Sequence, residues 1–471
     1  MMFDRRTILR SGAMAALSAP AVGGLRAGRA GLPAWFADLE RRTFDYFWDH
    51  GRADNGLVPD RWPSPSFASI AAVGFALTAY PIGVERGWIT RAAARGRTLA
   101  TLRFFDRAPQ GDADSGTSGN RGFFYHFLEM ESGLRYKKNE LSSVDSALLF
   151  LGMLYAANWF DAPHPDESEI RRLANRIVER ADWPWFQRGR ASISMGWHPP
   201  TGFLERDWIG YNEGMMVVLL ALGSRAHPVA DGAWEAWTSR YEECWRGQGP
   251  TRHLAFAPLF GHHYSHVWID FRGIRDAPMR AAGFDYFENS RRATVASRAY
   301  GIANPMGWDG YSKDIWGLTA CDGPGNFDVV RGGVTRRIHS YSARGPVGQP
   351  DGLDDGTISP TAAISSLPFA PEICIPASDA LRRYGGGALY RRYGFADAFN
   401  PSVRDPSLRS TSGTIDPAHG WIARDYIGID QGPILAMLAN HRSEAVWRVM
   451  RRSPTLRRGL RRAGFRGGWL A

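Results

Sequence analysis

Residues 66–80 read SFASIAAVGFALTAY and contain no charged side chain. A helix that is apolar all round belongs in a protein interior, because none of its faces gains from contact with water. The next segment, residues 90–105, reads TRAAARGRTLATLRFF and is amphipathic, with Thr90 as the predicted N-cap. We therefore expect the fold to be built from an inner helix followed by an outer helix.

The same alternation of Ala-rich apolar segments and amphipathic segments recurs along the chain. The 3.6-residue periodicity predicts roughly a dozen helices, with little sign of strands. The other predicted helices cover residues 33–49, 142–159, 167–181, 212–222, 228–245, 289–303, 361–366, 371–384, 430–440 and 443–451. This pattern predicts an all-α fold, an (α/α)6 toroid or barrel whose long loops form a cleft at one end.

Length and composition fit one large domain. The chain has 471 residues, of which 44% are hydrophobic, and no Ser/Gly or Pro tract separates parts of it. It carries 18 Trp, whose flat rings suit both a large core and the binding of sugar rings. We predict a main domain over residues 31–450, a signal segment over residues 1–30 and an Arg-rich extension over residues 451–471.

The formal net charge of +10 is concentrated at the two ends of the chain, so the body between them is slightly acidic. That balance argues against a nucleic acid as the partner. Residues 4–10, DRRTILR, form a twin-arginine pattern before a short apolar run, and no later run has the length of a membrane span. We expect export to the periplasm or secretion; the alternative is an intracellular protein with an accidental arginine pair.

The tail RRSPTLRRGLRRAGFRGGW is interpreted as a solvated extension, with contact to an acidic membrane surface or an anionic polymer as the alternative. The three cysteines, Cys244, Cys321 and Cys374, lie far apart, which excludes a disulfide framework and a structural zinc site, although one pair would be free to bridge in an oxidising compartment. We predict no cofactor and no metal.

Residues 262–276, HHYSHVWIDFRGIRD, are the densest cluster of polar and aromatic side chains. Histidines in the pattern HHxxH can bind a metal, but the HExxH motif is absent. Alternating rings and charges favour a sugar-binding groove; the alternative is a buried salt-bridge network. The substrate-binding candidates in this segment are His266, Trp268, Asp270, Arg272 and Arg275.

Four loops combine Gly or Pro with Trp, Asp or Arg: residues 56–62, 196–199, 316–324 and 351–357. Loops of this kind at one end of a helical barrel would build an open cleft. Together with a tyrosine before the helix at 212–222, they supply the remaining substrate-binding candidates: Asp60, Arg61, Trp62, Trp197, Tyr211, Trp316, Asp322 and Asp355.

Carboxylates where an apolar helix meets a polar loop are candidates for acid–base chemistry, because burial raises the pKa of an acid there. Glu213 fits best, since YNEG directly precedes an apolar helix; the alternative is an N-terminal cap. Asp145, Glu288 and Asp430 occupy similar positions, and capping competes with catalysis for each of them. Asp354 and Asp355 form a weaker pair.

Seven segments resemble the bacterial glucoamylase-like domain family, which includes endo-β-1,2-glucanases and is related to the transglycosylase domain of cyclic β-1,2-glucan synthases. The similarity spans about residues 33–450. The segments are VPDRWPSPSFASIAAVGFALTAYPIGVERGWITR, YNEGMMVVLLALGSRAHP, HYSHVWIDFRGIRD, DYFENSRRATVASRAY, YSKDIWGLTACDGP, DDGTISPTAAISSLPFAPEI and YIGIDQGPILAML.

The resemblance implies an (α/α)6 barrel and a glycoside hydrolase of β-linked glucan. It implies that Glu213 is the acid and that Glu288 belongs to a family motif, and it leaves the base open among Asp145, Asp430 and Asp355. Lys313 stands where the family pattern favours an acidic residue or Asn, which predicts an altered subsite.

The sequence thus predicts an exported glycoside hydrolase that cleaves internal bonds of a β-glucan, with β-1,2-glucan as the preferred candidate substrate. Two carboxyl groups would carry the acid–base catalysis. The alternatives are a periplasmic glucan-binding protein without turnover and a β-1,2-glucan transglycosylase.

Overall fold

The structure is a computed structural model and describes residues 31–471. The twin-arginine pattern and the predicted signal segment lie outside the described residues. Helices dominate the described part of the chain. They are α1 Trp35–His50, α2 Ile70–Glu85, α3 Arg91–Arg107, α4 Ser143–Trp159, α5 Pro165–Glu179, α6 Trp183–Gln187, α7 Gly214–Gly223, α8 Ala233–Thr238, α9 Tyr241–Cys244, α10 Tyr264–Trp268, α11 Ala277–Ala282, α12 Tyr286–Ala303, α13 Pro360–Ile364, α14 Pro371–Arg383, α15 Gly428–Ser443, α16 Ala445–Met450 and α17 Pro454–Arg462.

The loops contain short strands that the sequence did not indicate, most of them two residues long. They are β1 Arg61–Trp62, β2 Ala68–Ser69, β3 Gly119–Asn120, β4 Phe123–Phe124, β5 Phe127–Leu128, β6 Leu141–Ser142, β7 Gly196–His198, β8 Gly202–Phe203, β9 Trp245–Arg246, β10 His253–Leu254, β11 Ala320–Cys321, β12 Phe327–Arg331, β13 Val334–Ile338, β14 Ser342–Ala343, β15 Tyr390–Arg391, β16 Gly394–Phe395, β17 Phe399–Asn400, β18 Gly413–Asp416, β19 Gly420–Ala423 and β20 Tyr426–Ile427. All named pairs are antiparallel.

The predicted helices are present, most with bounds shifted by a few residues, and two of them depart further from the prediction. Helix α2 does not stop at Pro81 but continues to Glu85, and its residues 70–83 are all buried. Proline removes one backbone hydrogen bond, and the surrounding packing keeps the segment helical. The helix predicted over residues 228–245 is instead two short helices, α8 and α9, separated by Ser239 and Arg240.

Helices α2, α4, α7 and α15 form the core of the described chain. Helix α2 packs against α4 and α15, and α4 packs against α7. The approach of α2 and α4 is close because both carry glycine at the contact. A Cβ atom on Gly74 would lie 2.4 Å from the carbonyl oxygen of Leu148, and one on Gly152 would lie 2.2 Å from that of Gly74.

Amphipathic helices cover this core from outside. Helix α1 packs on α2 and α15, α3 on α2 and α5, and α5 on α4. In α5 the buried residues are Glu167, Ile170, Leu173, Ala174, Ile177 and Val178, a helical stripe. The inner and outer helices expected from the sequence are therefore present as neighbours in space.

The C-terminal segment is packed, so the expectation of a solvated extension is wrong. Helix α17 lies against α7 and buries Leu456 and Leu460. Hydrogen bonds from its arginines hold α17 against α7. Arg458 donates to the carbonyl oxygen of Gly223, and Arg462 donates to that of Leu222 at 2.9 Å. These carbonyls end α7, where backbone acceptors lack helical partners and where the helix dipole favours a cation.

Short strands lead directly into three of the core helices. Strand β2 precedes α2, β6 precedes α4 and β20 precedes α15, and they pair with β5, β7 and β1 respectively. The strand pairs therefore anchor the loops at the N-terminal ends of these helices. In residues 31–471 no helix is long and apolar enough to cross a membrane, and all three cysteines are free thiols.

Candidate active site

A cavity of about 460 Å³ opens at the N-terminal ends of α2, α4 and α7. That volume is in the range of small-molecule sites. We call it the cleft. Its wall is formed by Asp60, Arg61, Phe67, Ser69, His126, Phe127, Val144, Asp145, Leu148, Glu213, Phe260, Tyr264, Ala320, Tyr341, Ile427 and Ile429. Of the predicted site residues, Asp60, Arg61, Asp145 and Glu213 meet here.

Glu213 lies at the start of α7, but its side chain does not cap the helix. Asn212 does so instead, accepting a hydrogen bond from the Gly214 backbone N–H at 2.9 Å. The Glu213 Oε2 atom is buried without a hydrogen-bond partner. Burial, with a contribution from the charge of Asp145, raises the pKa of Glu213 to about 7. The capping alternative is wrong, because the Glu213 side chain makes no capping bond. With a pKa of about 7, the carboxyl group keeps its proton below neutral pH.

Asp145 lies in the first turn of α4, where Ser142 supplies the cap. The Ser142 hydroxyl donates to Asp145 Oδ2 at 2.5 Å, and His126 Nε2 lies 3.3 Å from Oδ1. Burial raises the pKa of Asp145, while the charge of His126 and the Ser142 hydrogen bond oppose that shift. Asp145 thus reaches the cleft as a carboxylate with partners on both oxygens.

Arg61 lies on the cleft wall and forms ion pairs with several carboxylates. Its Nη1 donates to both oxygens of Asp322, at 3.0 and 2.9 Å, and its Nε donates to Asp60 at 3.2 Å. Asp425 Oδ2 lies 3.9 Å from Arg61 Nη1. The structure places two of the predicted substrate-binding residues, Asp60 and Arg61, on the cleft wall. Asp322, also predicted, binds Arg61 but does not belong to that wall.

Asp430 is buried in the first turn of α15 and does not line the cleft. No side-chain capping bond is formed at this helix end, so the capping alternative is wrong here as well. Burial and the charge of Asp397 raise the pKa of Asp430 well above its usual range. Burial and the charge of Asp322 raise the pKa of Asp397 to about 7, while a hydrogen bond with Asp430 opposes that shift.

Aromatic side chains that the sequence prediction missed form much of the cleft wall. Tyr341 is 49% exposed, and Phe67 contacts Phe127 with ring centroids 4.3 Å apart. Phe260 stacks on Tyr264 at 5.1 Å. His126 was also missed, although it stands inside the aromatic run FFYHF at residues 123–127, the signal that would have pointed to it.

The segment at residues 262–276 is core rather than groove, which corrects the leading prediction. Trp268 is 0% exposed, stacks on Phe75 and donates from Nε1 to the Thr78 hydroxyl at 3.0 Å. His266 is buried with Nε2 3.1 Å from the Ser290 hydroxyl. Of the whole segment, Tyr264 alone reaches the cleft wall. A ring without exposed surface cannot bind a sugar.

The charged residues of this segment form the salt-bridge network that was the alternative. Asp270 pairs with Arg272 at 2.7 Å and with Arg451, and Arg272 also lies over the Trp447 ring. Arg275 is held through its backbone, which pairs with Arg466. Asp270 and Arg272 are thus engaged with partners away from the cleft, and Arg275 does not belong to the cleft wall, so the structure does not bring these predicted substrate-binding residues to the cleft.

Other predicted residues also lie elsewhere. Tyr211 is buried between His262 and Tyr286, Trp316 is buried in a second core cluster, and Asp355 is buried against Arg344 at 2.7 Å, which lowers the pKa of Asp355. The Arg344 charge leaves Asp355 unsuited to act as a base. These residues support loops and do not contact the cleft.

Two predicted sugar platforms are half-buried but face other rings. Trp62 stacks on His50 at 4.8 Å, and Trp197 meets Trp185 at 5.4 Å. Neither belongs to the cleft wall. Lys313 is exposed and likewise absent from that wall, so it gives no support for an altered subsite.

Glu288 lies on the outer face of α12, in a separate groove of about 530 Å³ with His253 and Tyr300. Its carboxylate accepts from Arg292 Nε at 2.8 Å. The structure therefore places Glu288 outside the cleft, with its carboxylate paired to Arg292, and does not bring it together with Glu213 and Asp145.

One group within residues 31–471 has the spacing of metal ligands: His126, Glu140 and Asp145, with ligand atoms within 4.8 Å of one another. Both ring nitrogens of His126 face carboxylate oxygens at hydrogen-bonding or near hydrogen-bonding distance. This arrangement is typical of an ion-paired imidazolium. The HHxxH segment contributes no such group.

A family model described as "Putative glucoamylase" (Glycoamylase) matches residues 205–454, more than half of the chain. The protein belongs to this glucoamylase family. A solved glucoamylase-family structure from Bacteroides uniformis is 31% identical, with a TM-score of 0.77, and the alignment covers 93% of this chain and 98% of that one. The helical architecture of the family is thus the architecture of this chain.

Two further glucoamylase-family relatives carry more specific names. An endo-β-1,2-glucanase from Chitinophaga pinensis, solved with sophorotriose and glucose, is 25% identical with a TM-score of 0.76, covering 92% of this chain and 98% of that one. An exo-β-1,2-glucooligosaccharide sophorohydrolase from Parabacteroides distasonis is 25% identical over 456 residues, covering 90% of this chain. This chain spans 57% of the length of that relative.

Proposed function

We propose that this protein is a glycoside hydrolase that cleaves β-1,2-glucan inside the chain, with Glu213 as the general acid. The observation that carries the proposal is the Glu213 carboxyl group, half-buried on the cleft wall with Oε2 unpartnered and a pKa raised to about 7. A general acid has to hold its proton at working pH and release it to the leaving oxygen. The named activities of the relatives support the substrate class.

Hydrolysis also needs an ionised carboxylate that activates water or attacks the sugar. We propose Asp145 for this role. It lies on the cleft wall, and its charge already acts on Glu213. Asp430 lies behind the wall and Asp355 is bound to Arg344, so both are weaker candidates.

For the architecture we propose the complete (α/α)6 toroid. Six helices rich in buried residues follow one another along the chain, namely α2, α4, α7, α10, α13 and α15. Contacts of α2 with α4 and α15, of α4 with α7 and of α15 with α13 support the part of an inner ring that runs from α7 to α13. The outer layer would be α1, α3, α5, α12, α14 and α17.

We also propose export by the twin-arginine route, on the basis of residues 4–10. Fractionation of cells that produce the full chain tests this: a shortened protein in the periplasm or medium supports export. Full-length protein confined to the cytosol contradicts it.

The test of function is product analysis on linear β-1,2-glucan. We expect short oligosaccharides of several lengths with new reducing ends, because internal cleavage does not release a single product size. Disaccharide alone from the outset would indicate exo-cleavage, and larger or cyclic products would indicate a transglycosylase. Saturable binding without products would indicate a binding protein.

Two matched variants assign the chemistry. Glu213→Gln preserves shape but removes the acid, and we expect kcat to fall by about 10²- to 10⁴-fold. Glu288→Gln makes the same change in the outer groove and should leave kcat within about twofold of the parent. Near-full turnover of Glu213→Gln would contradict the assignment.

A further inference from the structure

His126 lies between two carboxylates on the cleft wall. It stands in the loop between β4 and β5, with Nδ1 2.8 Å from Glu140 Oε1 and Nε2 3.3 Å from Asp145 Oδ1. An ionised carboxylate only accepts hydrogen bonds, whereas a neutral imidazole has one donor nitrogen and one acceptor nitrogen. Serving both partners therefore requires a proton on each nitrogen, which makes the ring an imidazolium.

The surroundings hold the three groups in place. The His126 ring stacks on Phe127 with centroids 3.8 Å apart, and its backbone N–H donates to the Glu140 carbonyl oxygen at 3.0 Å. Glu140 and Asp145 flank β6, which pairs with β7 through Leu141↔Trp197. The carboxylates therefore sit on one anchored strand–helix junction.

The other titratable groups around the ring favour the same charge state. Asp60 faces His126 from the loop before β1, and His198 on β7 faces Glu140. Burial lowers the pKa of His126, but the charges of Asp145, Glu140 and Asp60 outweigh it and raise the pKa to about 9. Asp145 in turn faces Glu213.

We propose that His126 is a protonated positioning residue whose charge and two-sided hydrogen bonding hold Asp145 ionised and fixed beside the proton-bearing Glu213. This proposal rests on the function proposed above, since it explains how two neighbouring carboxyl groups keep different protonation states. Without the cation, like charges in one cleft compete for a single proton. His126 itself does not touch the reacting atoms.

The first test needs no substrate. Protein with ¹⁵N-labelled histidine is titrated by NMR, and the His126 signals are assigned as those missing from His126→Gln. We expect both ring nitrogens to remain protonated at pH 8. A neutral ring at pH 7 would overturn the proposal, whatever the protein hydrolyses.

The second test is the pH profile of kcat/KM on β-1,2-glucan for the parent and His126→Gln. Removing the cation raises the pKa of Asp145, so the acidic limb should move upward by about one pH unit or more, while the alkaline limb stays in place. The maximum of kcat/KM should fall as well, because a smaller fraction of the enzyme has Glu213 protonated while Asp145 is ionised.

His263→Gln is the matched control, since it removes another buried histidine that hydrogen-bonds to Ser366. It should lower stability and leave both limbs in place. A uniform loss of rate in His126→Gln with unmoved limbs, or an equal shift in His263→Gln, would overturn the proposal. If the parent does not hydrolyse β-1,2-glucan, the proposed function fails while the NMR titration still decides the charge of His126.

Discussion

Three histidines in the core and one histidine on the cleft wall differ in both exposure and charge: the core histidines are about 1% exposed, whereas the His126 side chain is 27% exposed. His262, His263 and His266 lie in the core, and burial lowers the pKa of His263 and His266 to about 3 and that of His262 well below its usual range. His126 on the cleft wall has a pKa raised to about 9. The same side chain is thus neutral in one region and cationic in the other.

The partners account for the difference. Near the core histidines the hydrogen-bonding groups are hydroxyls and backbone atoms: Ser366 for His263 and Ser290 for His266. A hydroxyl accepts or donates and does not demand a charged ring. His126 faces carboxylates on both nitrogens, which compensate for the desolvation of a cation. Carboxylate partners and partial exposure therefore both favour the cation at His126.

The most direct way to break this comparison is to give a core histidine a carboxylate. Ser290→Asp places an acid beside His266, and we expect the free energy of unfolding to fall by about 3–5 kcal/mol at pH 8, where the new charge is buried unpaired. The loss should shrink toward pH 5 as His266 gains a proton. Urea unfolding at both pH values measures it.

Ser290→Asn is the neutral control and should cost less, with no such pH dependence. If Ser290→Asp unfolds no more readily than the parent at pH 8, the core around His266 admits water and the contrast with His126 does not hold.

Trp268 and Tyr341 sharpen the contrast between the same two regions. Trp268→Phe removes the donor to the buried Thr78 hydroxyl, and we expect about 2 kcal/mol of destabilisation with unchanged KM. Tyr341→Ala removes a half-exposed ring of the cleft, and KM should rise about three- to tenfold with little change in Tm. Thermal unfolding and initial rates on β-1,2-glucan measure both variants.

A rise in KM for Trp268→Phe equal to that for Tyr341→Ala would restore residues 262–276 as part of the binding site. Destabilisation by Tyr341→Ala alone would make Tyr341 a packing residue.

The two regions should also give stability opposite dependence on pH. The folded pKa of His263 and His266 lies below the unfolded value, so their contribution is present above pH about 6.5 and is lost as pH falls toward 3. The folded pKa of His126 lies above the unfolded value, so its contribution is full below pH about 6.5 and is lost as pH rises through about 9.

His126→Gln should therefore flatten the decline of stability between pH 7 and 9, an effect of about 2 kcal/mol. His263→Gln should instead flatten the decline on the acid side. Chemical unfolding across pH 4–9 measures both, and a slope that is unchanged in His126→Gln would contradict the raised pKa. Glu213 also loses stabilisation as pH rises through about 7, so Glu213→Gln serves as the reference for that part of the curve.

Some helices could be predicted from the sequence and others could not. The apolar run that became α2 and the amphipathic run that became α5 were predicted because their periodicity is local and strong. The packing of helix α17 was not predicted, because an arginine-rich segment with few apolar residues has the composition of a solvated tail. Its partners are the surface and the C-terminal carbonyl oxygens of α7, which come from a distant part of the chain.

The sequence by itself determined the helical class, the succession of an apolar and an amphipathic helix in α4 and α5, and Glu213 at the start of an apolar helix. Those features depend on neighbouring residues along one segment. Tertiary structure decided which polar residues share a cleft and which are buried in pairs. His126, Asp145 and Tyr341 come from separate loops, whereas residues 262–276 lie together in sequence and point into the core. A pKa depends on the groups that meet in space, and their distance along the chain does not fix that meeting.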